Sequence, residues 1–501
     1  MSKELHDTVH NLGELKKSGW ESVSVKEEIR RNLIQKIRSG ETLFPGIKGY
    51  DKSVIPQLQH ALLAKHDIIL LGLRGQAKTK ILRQLVSFLD EYMPIVEGSE
   101  INDDPLNPVS KQARELIKEK GDETPVSWVH RSQRYGEKLA TPDTAVADLI
   151  GDIDPIKAAA EKLTLADENV INFGLVPRTN RGIFAINELP DLQPRIQVAL
   201  LNIMQERDIQ IRGFNVRIPL DVAMVFSANP EDYTNRGNII TPLKDRIDSQ
   251  ILTHYPRKIE VGMEITEQEA WIDRDSEVEV RVPKLIKELL EQVAFEARES
   301  EYIDQKSGVS TRMTITAMEQ LISAAERRAL MNGETETTTR ITDVFHMVPA
   351  LTGKLELVYE GEQEGVLNVA KHIIGKAVKK TFSRHFPDPE KQKKKEKDSI
   401  YKPVLDWFTN GNELELTDYM SRDEYERVLD SVDGLSKVVQ DQVEADNNDV
   451  KYVLMDFVIE ALHQNSMLGK EDLDDARSYS DMLGSMLSSM DDLDDFEDFD
   501  Q

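Results

Sequence analysis

The sequence predicts an α/β fold with a parallel sheet, followed by a helical region and by a further helical region towards the C-terminus. Three observations favour this fold. Short apolar runs alternate with helical patterns in the first half of the chain, polar residues follow these runs, and helical spacing dominates from about residue 258 onward. Strands that alternate with helices form parallel sheets, and the carboxyl edge of such a sheet is where ligands bind.

Three apolar runs have the composition of buried parallel strands. They are IILL at 68–71, GIFAI at 182–186 and VAMVF at 222–226. Parallel strands are covered on both faces, so they are apolar almost without interruption. The first run leads into a glycine-containing loop and then into ILRQLVSFLDEYM, which we predict to be helical.

Beyond the predicted sheet, the segments KLIKELLEQVAFEARE and ITAMEQLISAAERRALMNG repeat apolar residues at helical spacing. The remaining sequence contains a polar, basic stretch (FPDPEKQKKKEKDSIYKP) and an acidic end (DDLDDFEDFDQ). The predicted organisation is an N-terminal helical segment (1–40), an α/β core (41–257) with an insert at about 149–180, a helical lid (258–380), a basic linker (381–403), a helical C-terminal region (404–486) and an acidic disordered tail (487–501).

Composition excludes several functional classes. The 501 residues carry 90 acidic and 63 basic side chains, a formal net charge of −27 that argues against coating of nucleic acid. The absence of cysteine excludes disulfides, thiolate metal sites and cysteine nucleophiles. The polar N-terminal residues lack the apolar core of a signal peptide, and no apolar run approaches the roughly 20 residues that span a bilayer. We therefore expect a cytoplasmic protein of two to four domains.

The loop after the first predicted strand has the pattern of a phosphate-binding loop. It reads Gly72-Leu73-Arg74-Gly75-Gln76-Ala77-Lys78-Thr79, a near match to the Walker A motif with alanine where the last glycine usually stands. In such loops backbone N–H groups point at the phosphates, the lysine reaches the β- and γ-phosphates and the hydroxyl binds Mg²⁺. We expect Ala77 to be tolerated because we expect a backbone conformation there that is not left-handed.

From this loop onward the chain resembles AAA+ ATPases of the MoxR and magnesium-chelatase type. The resemblance begins with GLRGQAKT and extends through GVSTRMTI to about residue 355. The segments that carry it in between are LIGDIDPIKA, INFGLVPRTNRGIFAINELPDL, QVALLNIMQERDIQIRG, IPLDVAMVFSANPED and LKDRID. It implies an AAA+ α/β nucleotide-binding core with a helical lid, and ATP and Mg²⁺ as cofactors. No motif covers the segments before residue 40 and after about 380.

The resemblance also implies roles for individual residues. Glu188 corresponds to the residue that polarises the attacking water, and Asn229 to sensor 1. Arg246 corresponds to the arginine finger offered to a neighbouring subunit, and Arg312 to sensor 2 on the lid. The residues that match the family's nucleotide-binding loop are Gly72, Gly75, Gln76, Ala77, Lys78 and Thr79, and those that match its metal positions are Thr79 and Asn187.

Two positions depart from the family pattern. Asn187 stands where the family usually has the Walker B aspartate, and a neutral amide brings no charge to the metal. Either the site hydrolyses ATP with differently organised Mg²⁺ binding, or the subunit binds nucleotide with little turnover. We favour hydrolysis because the other site residues remain, and the substitution Asn187→Asp probes this directly. Arg74 stands where relatives often have proline, with no clear consequence.

The resemblance implies a ring-forming motor, for which we expect a hexamer, and leaves four candidate functions. A MoxR-like remodeller would act with a von Willebrand factor A-domain partner, and a magnesium-chelatase motor subunit would drive Mg²⁺ insertion into protoporphyrin on another subunit. A sigma-54-type activator would need a GAFTGA-like loop and a DNA-binding module, neither of which is found. The fourth is a nucleotide-gated scaffold. Phe173, Leu175 and Arg178 in the insert are candidates for substrate contact, with core packing as the alternative for the two apolar ones.

Overall fold

The computed structural model describes residues 2–164, 167–210, 217–230, 238–393, 399–445, 447–473 and 475–482. The chain divides into two compact units, Met1–His254 and Tyr255–Gln501. The predicted acidic tail at 487–501 lies outside the described residues. Among those that are described, no helix combines the length and the apolar composition needed to cross a membrane.

The first unit is built on a parallel sheet. The strands described in this unit, in chain order, are β1 (Ile68–Leu71), β2 (Tyr92–Val96), β3 (Val126–His130), β4 (Tyr135–Leu139), β5 (Gly151–Ile153), β6 (Ile171–Phe173), β7 (Gly182–Asn187), β8 (Asp208–Gln210), β9 (Arg217–Pro219), β10 (Val222–Ala228) and β11 (Ser249–Leu252). Five of them form one sheet in the order β11-β1-β10-β7-β4, and every neighbouring pair in it is parallel. The three predicted strands are confirmed as β1, β7 and β10, and the predicted fold class is confirmed with them.

The sheet is covered on both faces because alternate side chains of each strand point to opposite sides. Ile69 and Leu71 of β1 belong to one buried apolar cluster, together with residues of the helix Pro194–Glu206. Ile68 and Leu70 belong to another, together with residues of the helix Val25–Ser39. The N-terminal segment is therefore part of the covering of the sheet.

The helices described in the first unit include three in the predicted N-terminal segment and eight after it. Their bounds are Ser2–His6, Leu12–Lys17, Val25–Ser39, Val54–Leu63, Lys78–Gln84, Lys111–Lys120, Val146–Leu149, Pro155–Glu161, Leu175–Arg178, Pro194–Glu206 and Thr241–Arg246.

One predicted helix is wrong in its second half. The helix that begins at Lys78 ends at Gln84, a 3-10 turn covers Leu85–Phe88, and Tyr92 opens strand β2. Strand β2 pairs with β3 in antiparallel register, which outweighs the helical periodicity of the sequence. Pro94 also disfavours helix in the residue before it.

Two antiparallel strand pairs lie within the segments that resemble the family's insert and hairpin. Strands β5 and β6 pair across the predicted insert, and between them the helix Pro155–Glu161 is capped by Asp154, whose carboxylate accepts from the backbone N–H groups of Ile156 and Lys157. Strands β8 and β9 form the hairpin after the helix Pro194–Glu206, and residues 211–216 between them lie outside the described residues.

The second unit is mainly helical and has one large apolar core. Its described helices are Ile259–Glu269, Lys284–Glu299, Arg312–Asn332, Ile341–Phe345, Val348–Thr352, Tyr359–Glu364, Val366–His385, Pro389–Lys393, Lys402–Thr409, Arg422–Asp430, Leu435–Gln442 and Asn448–Gln464. Its described strands are β12 (Glu279–Arg281), β13 (Glu336–Thr338), β14 (Leu414–Thr417), β15 (Gly469–Asp472) and β16 (Ala476–Ser480).

The strands of this unit were not predicted. Strands β12 and β13 form a parallel pair, and β14, β16 and β15 form an antiparallel sheet within the C-terminal region that was predicted as helical. The two helices predicted from their apolar spacing are confirmed as Lys284–Glu299 and Arg312–Asn332. The helix Val366–His385 extends into the segment predicted as a linker.

Candidate functional site

The carboxyl ends of β1, β7 and β10 bring most of the predicted site residues to one edge of the sheet. Leu71 pairs in register with Ala228, so the loop that starts at Gly72 runs beside Asn229. The backbone N–H of Gly72 donates to the carbonyl of Ala228 at 3.1 Å. Asn187 is the last residue of β7, which pairs with β10 on the other side.

The phosphate loop depends on two of its glycines. A Cβ atom at Gly72 would lie 1.8 Å from the Oγ1 atom of Thr253, so only glycine fits there. Gly75 has φ +76°, in the left-handed region that glycine enters without strain.

Ala77 also has a left-handed backbone, with φ 57° and ψ 14°, so the expected conformation at this position was wrong. A left-handed conformation costs a residue with a Cβ atom about 1–2 kcal/mol. The short alanine side chain keeps the steric conflict small, but the loop retains backbone strain just before Lys78.

The Lys78 side chain lies inside the loop and is only 7% exposed. Its ammonium group donates hydrogen bonds to the carbonyl oxygens of Gly72 and Leu73, the latter at 3.0 Å. These two contacts hold the cation in the hollow of the loop through backbone dipoles.

Residues that the sequence analysis missed support the outside of the loop. The Thr253 hydroxyl donates to the Gln76 side-chain oxygen at 2.6 Å. The Tyr50 hydroxyl lies 3.0 Å from the Gln76 carbonyl and 2.8 Å from the His254 carbonyl. Burial raises the pKa of Tyr50 to about 12, so this hydroxyl keeps its proton and acts as a donor. Neither residue belongs to a recognisable motif.

Asn187 lies at the centre of a hydrogen-bond network and is 6% exposed. Its side-chain oxygen accepts from the Ser227 hydroxyl at 2.9 Å and from the Thr79 hydroxyl at 3.4 Å. Its side-chain nitrogen donates to Glu137 Oε1 at 2.7 Å. The structure thus brings Thr79 and Asn187 together as the sequence analysis expected, and it adds Ser227 and Glu137.

Glu137 lies on β4, next to β7, and is paired with a cation. Arg83 Nε donates to its Oε2 at 2.8 Å, and Arg83 Nη2 donates to its Oε1 at 3.0 Å. Arg83 belongs to the helix Lys78–Gln84 that follows the phosphate loop. This two-bond contact ties that helix to the strand beside Asn187.

Glu188 and Asn229 follow their strands directly. Glu188 is half-buried and has a left-handed backbone with φ 54°, a strained conformation that is concentrated at functional sites. Asn229 has a buried side-chain oxygen with no hydrogen-bond partner among the described residues. An unsatisfied buried acceptor favours a donor supplied from outside the described chain.

The two predicted arginines lie on helices later in the chain. Arg246 is exposed at the end of the helix Thr241–Arg246, and its guanidinium contacts the adjacent Asp245. Arg312 is exposed at the first position of the helix Arg312–Asn332, which belongs to the second unit.

The insert candidates differ in exposure. Phe173 packs against the buried apolar cluster beside β7, which agrees with the core-packing alternative. Leu175 is 38% exposed. The Arg178 guanidinium donates to the Phe173 carbonyl at 2.8 Å, so it is engaged within the insert.

The residues at the sheet edge fit a magnesium nucleotide. Thr79, Asn187 and Glu188 offer hard oxygen atoms, the kind that Mg²⁺ uses in combination with water and phosphate oxygens. No group of three or more His, Asp or Glu side chains within the described residues could hold a metal by itself.

Comparisons with known proteins agree with this arrangement. The sequence profile of the family described as Sigma-54 interaction domain matches residues 163–250. The magnesium-chelatase 38 kDa subunit of Cereibacter sphaeroides is 27% identical over 214 residues, which cover 42% of this chain and 57% of that relative. The chain thus spans little more than half the length of the curated relative that it matches.

Solved structures also resemble the chain. The complex of subunits BchI and BchD of magnesium chelatase has 21% identity, covers 64% of this chain and 98% of the other, and has a TM-score of 0.34. NtrX from Brucella abortus in complex with ADP has 13% identity, covers 80% and 72%, and has a TM-score of 0.35. By its sequence matches, its parallel sheet and its phosphate-type loop, the chain is similar to AAA+ ATPases.

Proposed function

We propose that this chain is a ring-forming ATPase that binds ATP with Mg²⁺ at the edge formed by β1, β7 and β10, and that it uses hydrolysis to remodel or assemble a partner protein. The observation that carries the proposal is the buried Lys78 ammonium inside the loop, next to the contact between Thr79 and Asn187. A phosphate oxygen is the ligand that an ammonium group and backbone amides in such a loop bind best.

Each residue of the edge then has a task in phosphoryl transfer. The amides of residues 72–79 and Lys78 would bind the phosphates, and Thr79 and Asn187 would hold the metal. The metal, when bound, neutralises phosphate charge. Glu188 orients and polarises the attacking water, and the free side-chain oxygen of Asn229 accepts a hydrogen bond from that water.

Two arginines complete the proposed cycle. Arg246 is exposed, which suits a cation that reaches the nucleotide of a neighbouring subunit, and an arginine supplied in this way couples hydrolysis to ring assembly. A hexamer is the ring that we propose. Arg312 would sense the nucleotide from the helical lid, so that hydrolysis moves the lid against the core.

The partner protein is proposed on the resemblance alone. A MoxR-like role implies a protein with a von Willebrand factor A-domain. The match to a magnesium-chelatase subunit favours a second candidate, the motor subunit of a chelatase that inserts Mg²⁺ into protoporphyrin. The family profile named for sigma-54 interaction covers residues 163–250 and so includes neither the phosphate loop nor Arg312. A nucleotide-gated scaffold stays the alternative that Asn187 motivates.

Steady-state ATPase activity measured against subunit concentration tests the motor. We expect turnover per subunit to rise with concentration, and Lys78→Ala to lower it at least about a hundredfold because the transition-state charge loses its cation. Lys118→Ala, an exposed lysine on the helix Lys111–Lys120, is the matched control and should retain full activity.

Arg246→Ala distinguishes a ring, in which neighbouring subunits complete each other's sites, from a subunit that hydrolyses ATP by itself. It should bind ATP normally and lose turnover, and mixing it with Lys78→Ala subunits should restore part of the activity, since each supplies what the other lacks. Nucleotide binding without turnover, even at high concentration and with partner protein present, would support the scaffold instead. Absence of any ATP binding by the unaltered chain would refute the proposal.

The partner can be captured with Glu188→Gln, which should bind ATP and stop before hydrolysis. Proteins that co-purify with this variant in ATP and not in ADP are candidates. Recovery of an A-domain protein supports the MoxR-like role, and recovery of a porphyrin-binding chelatase subunit supports the chelatase role.

A further inference from the structure

Asn187 is the point at which the site departs from its relatives, and its surroundings explain the departure. Glu137 lies two residues before Leu139, which pairs in register with Asn187. Residues diagonal to one another on adjacent strands are within reach when a side chain is long. The Glu137 carboxylate uses that reach to accept a hydrogen bond of 2.7 Å from the Asn187 amide.

This contact fixes which way the Asn187 amide faces. A carboxylate only accepts hydrogen bonds, so the NH₂ group of Asn187 has to point towards Glu137. The amide oxygen then has to point the other way, towards the hydroxyl groups of Thr79 and Ser227. Without Glu137 the amide could turn over and offer a donor to the metal side of the site.

The same contact makes an aspartate at position 187 unfavourable. The NH₂ group would be replaced by an oxygen only 2.7 Å from Glu137 Oε1. Two carboxylate oxygens so close repel each other, so the two side chains would have to move apart. The charge at position 137 and the amide at position 187 are therefore adjusted to each other.

We propose that Glu137 is a positioning residue of the nucleotide site and forms an acid–amide pair with Asn187. In this pair the acid lies on β4 and the amide lies at the metal position, where the family usually has the acid. The inference rests on the proposed function, because it concerns how that site holds magnesium and nucleotide. Arg83 holds the acid in place from the helix that follows the phosphate loop.

A purely structural ion pair between Glu137 and Arg83 is the competing explanation. The Arg83 side chain is 65% exposed and that of Glu137 is 22% exposed. Exposed ion pairs contribute little to stability. A purely structural pair would leave magnesium-dependent binding unchanged when it is removed, so the two explanations predict different results.

Binding affinities for AMP-PNP, measured by calorimetry in magnesium and in EDTA, distinguish the two explanations. Glu137→Leu should weaken binding in magnesium about tenfold, the size expected when a charge-assisted hydrogen bond is lost, and leave binding in EDTA unchanged. Glu137→Gln keeps an acceptor for the amide and should retain most of the affinity. Asp122→Asn removes the same charge from an exposed ion pair with Lys16 and should change neither value.

The exchange of the two residues is the sharper test. Asn187→Asp alone should weaken magnesium-dependent binding about tenfold, and the double variant Asn187→Asp with Glu137→Gln should recover to within about threefold of the unaltered chain, since coupled neighbours are not additive. Circular dichroism and thermal unfolding check that each variant folds. If Asn187→Asp does not fold, Glu137→Leu and Glu137→Gln still test the proposal.

Two outcomes would overturn this inference while the proposed function stands. One is a gain in magnesium affinity from Asn187→Asp alone. The other is full magnesium-dependent binding by Glu137→Leu. Failure of the unaltered chain to bind AMP-PNP at all is a different result, because it refutes the proposed function itself.

Discussion

In the first unit, ionisable side chains gather at the open edge of a sheet, whereas in the second unit Glu460, Lys470 and Arg477 lie inside an apolar core. Glu460 accepts hydrogen bonds from Tyr479 at 2.6 Å, from Lys470 at 3.2 Å and from Gln464 at 2.8 Å. Burial works against its charge, but Lys470 and Arg477 hold the pKa of Glu460 below its usual range.

The two regions differ in what their polar groups bind. Glu460 has its partners within its own unit, and the Lys470 ammonium also lies 4.2 Å from the centre of the Phe345 ring. At the sheet edge, by contrast, Lys78 contacts backbone carbonyls and the Asn229 oxygen has no partner among the described residues.

Burial of charge alone therefore does not identify a ligand site. Unfilled hydrogen-bonding capacity does not identify one either, because the buried Arg477 nitrogens also have no hydrogen-bond partner among the described residues. Strained backbone at a shared edge, at Ala77 and Glu188, is the better indication.

The largest effect is expected from the buried cluster of the second unit. Glu460→Gln keeps the shape of the side chain but removes the buried carboxylate that Lys470 and Arg477 share, so it should lower the free energy of unfolding by about 3–5 kcal/mol. Urea denaturation measures it. Glu415→Gln, the same change at an exposed position of β14, is the control and should be close to neutral.

If Glu460→Gln instead retained its stability and lost nucleotide binding, the comparison would fail, because the cluster would then serve the ligand and not the fold.

Sequence patterns predicted the parts of the fold that depend on local periodicity. The runs at 68–71, 182–186 and 222–226 are strands because continuous apolar sequence is typical of buried parallel strands. The change from helix to strand near Tyr92 and the three-stranded sheet that contains β14 could not be predicted in the same way. They depend on pairing with distant partners, which outweighs local propensity.

The residues of the candidate site likewise fall into two groups, those that local sequence predicts and those that distant parts of the chain contribute. Lys78, Thr79 and Asn187 follow from the motif, and the structure brings them to one edge. Glu137 lies on β4 and Thr253 directly follows β11, and neither belongs to a motif. The polar residue of β4 two positions before the end of the strand was the available hint, since neighbouring strands place such residues beside β7.

A smaller effect is expected from the strained loop of the first unit. Ala77→Gly should raise the free energy of unfolding by about 0.5–1 kcal/mol, because glycine adopts φ 57° without steric cost and the gain exceeds the extra entropy of the unfolded chain. Urea denaturation measures it. Ala199→Gly, in the interior of the helix Pro194–Glu206, is the matched control and should lower stability by about 1 kcal/mol. Equal losses of unfolding free energy in both variants would show that the left-handed alanine is not strained. Backbone strain would then no longer distinguish the sheet edge from the buried cluster.

The smallest effect concerns the rim of the buried cluster, where His346 Nε2 lies 2.9 Å from Asp418 Oδ2. The hydrogen bond to Asp418, together with the charges of Asp418 and Asp343, raises the pKa of His346 above its usual 6.5, although burial and Arg477 oppose the shift. A group whose pKa is raised by folding stabilises the folded state below its unfolded pKa, and this contribution disappears as the pH rises through the folded pKa.

Because the imidazole is nearly half exposed, we expect His346→Gln to lower the free energy of unfolding by about 0.5 kcal/mol near pH 5.5 and to leave it unchanged near pH 9. Unfolding free energies of the unaltered chain and of the variant across this range measure it. A difference that grew towards alkaline pH would mean that His346 is stabilised as the neutral ring, and the charge contacts at the rim would then differ in kind from those around Glu460.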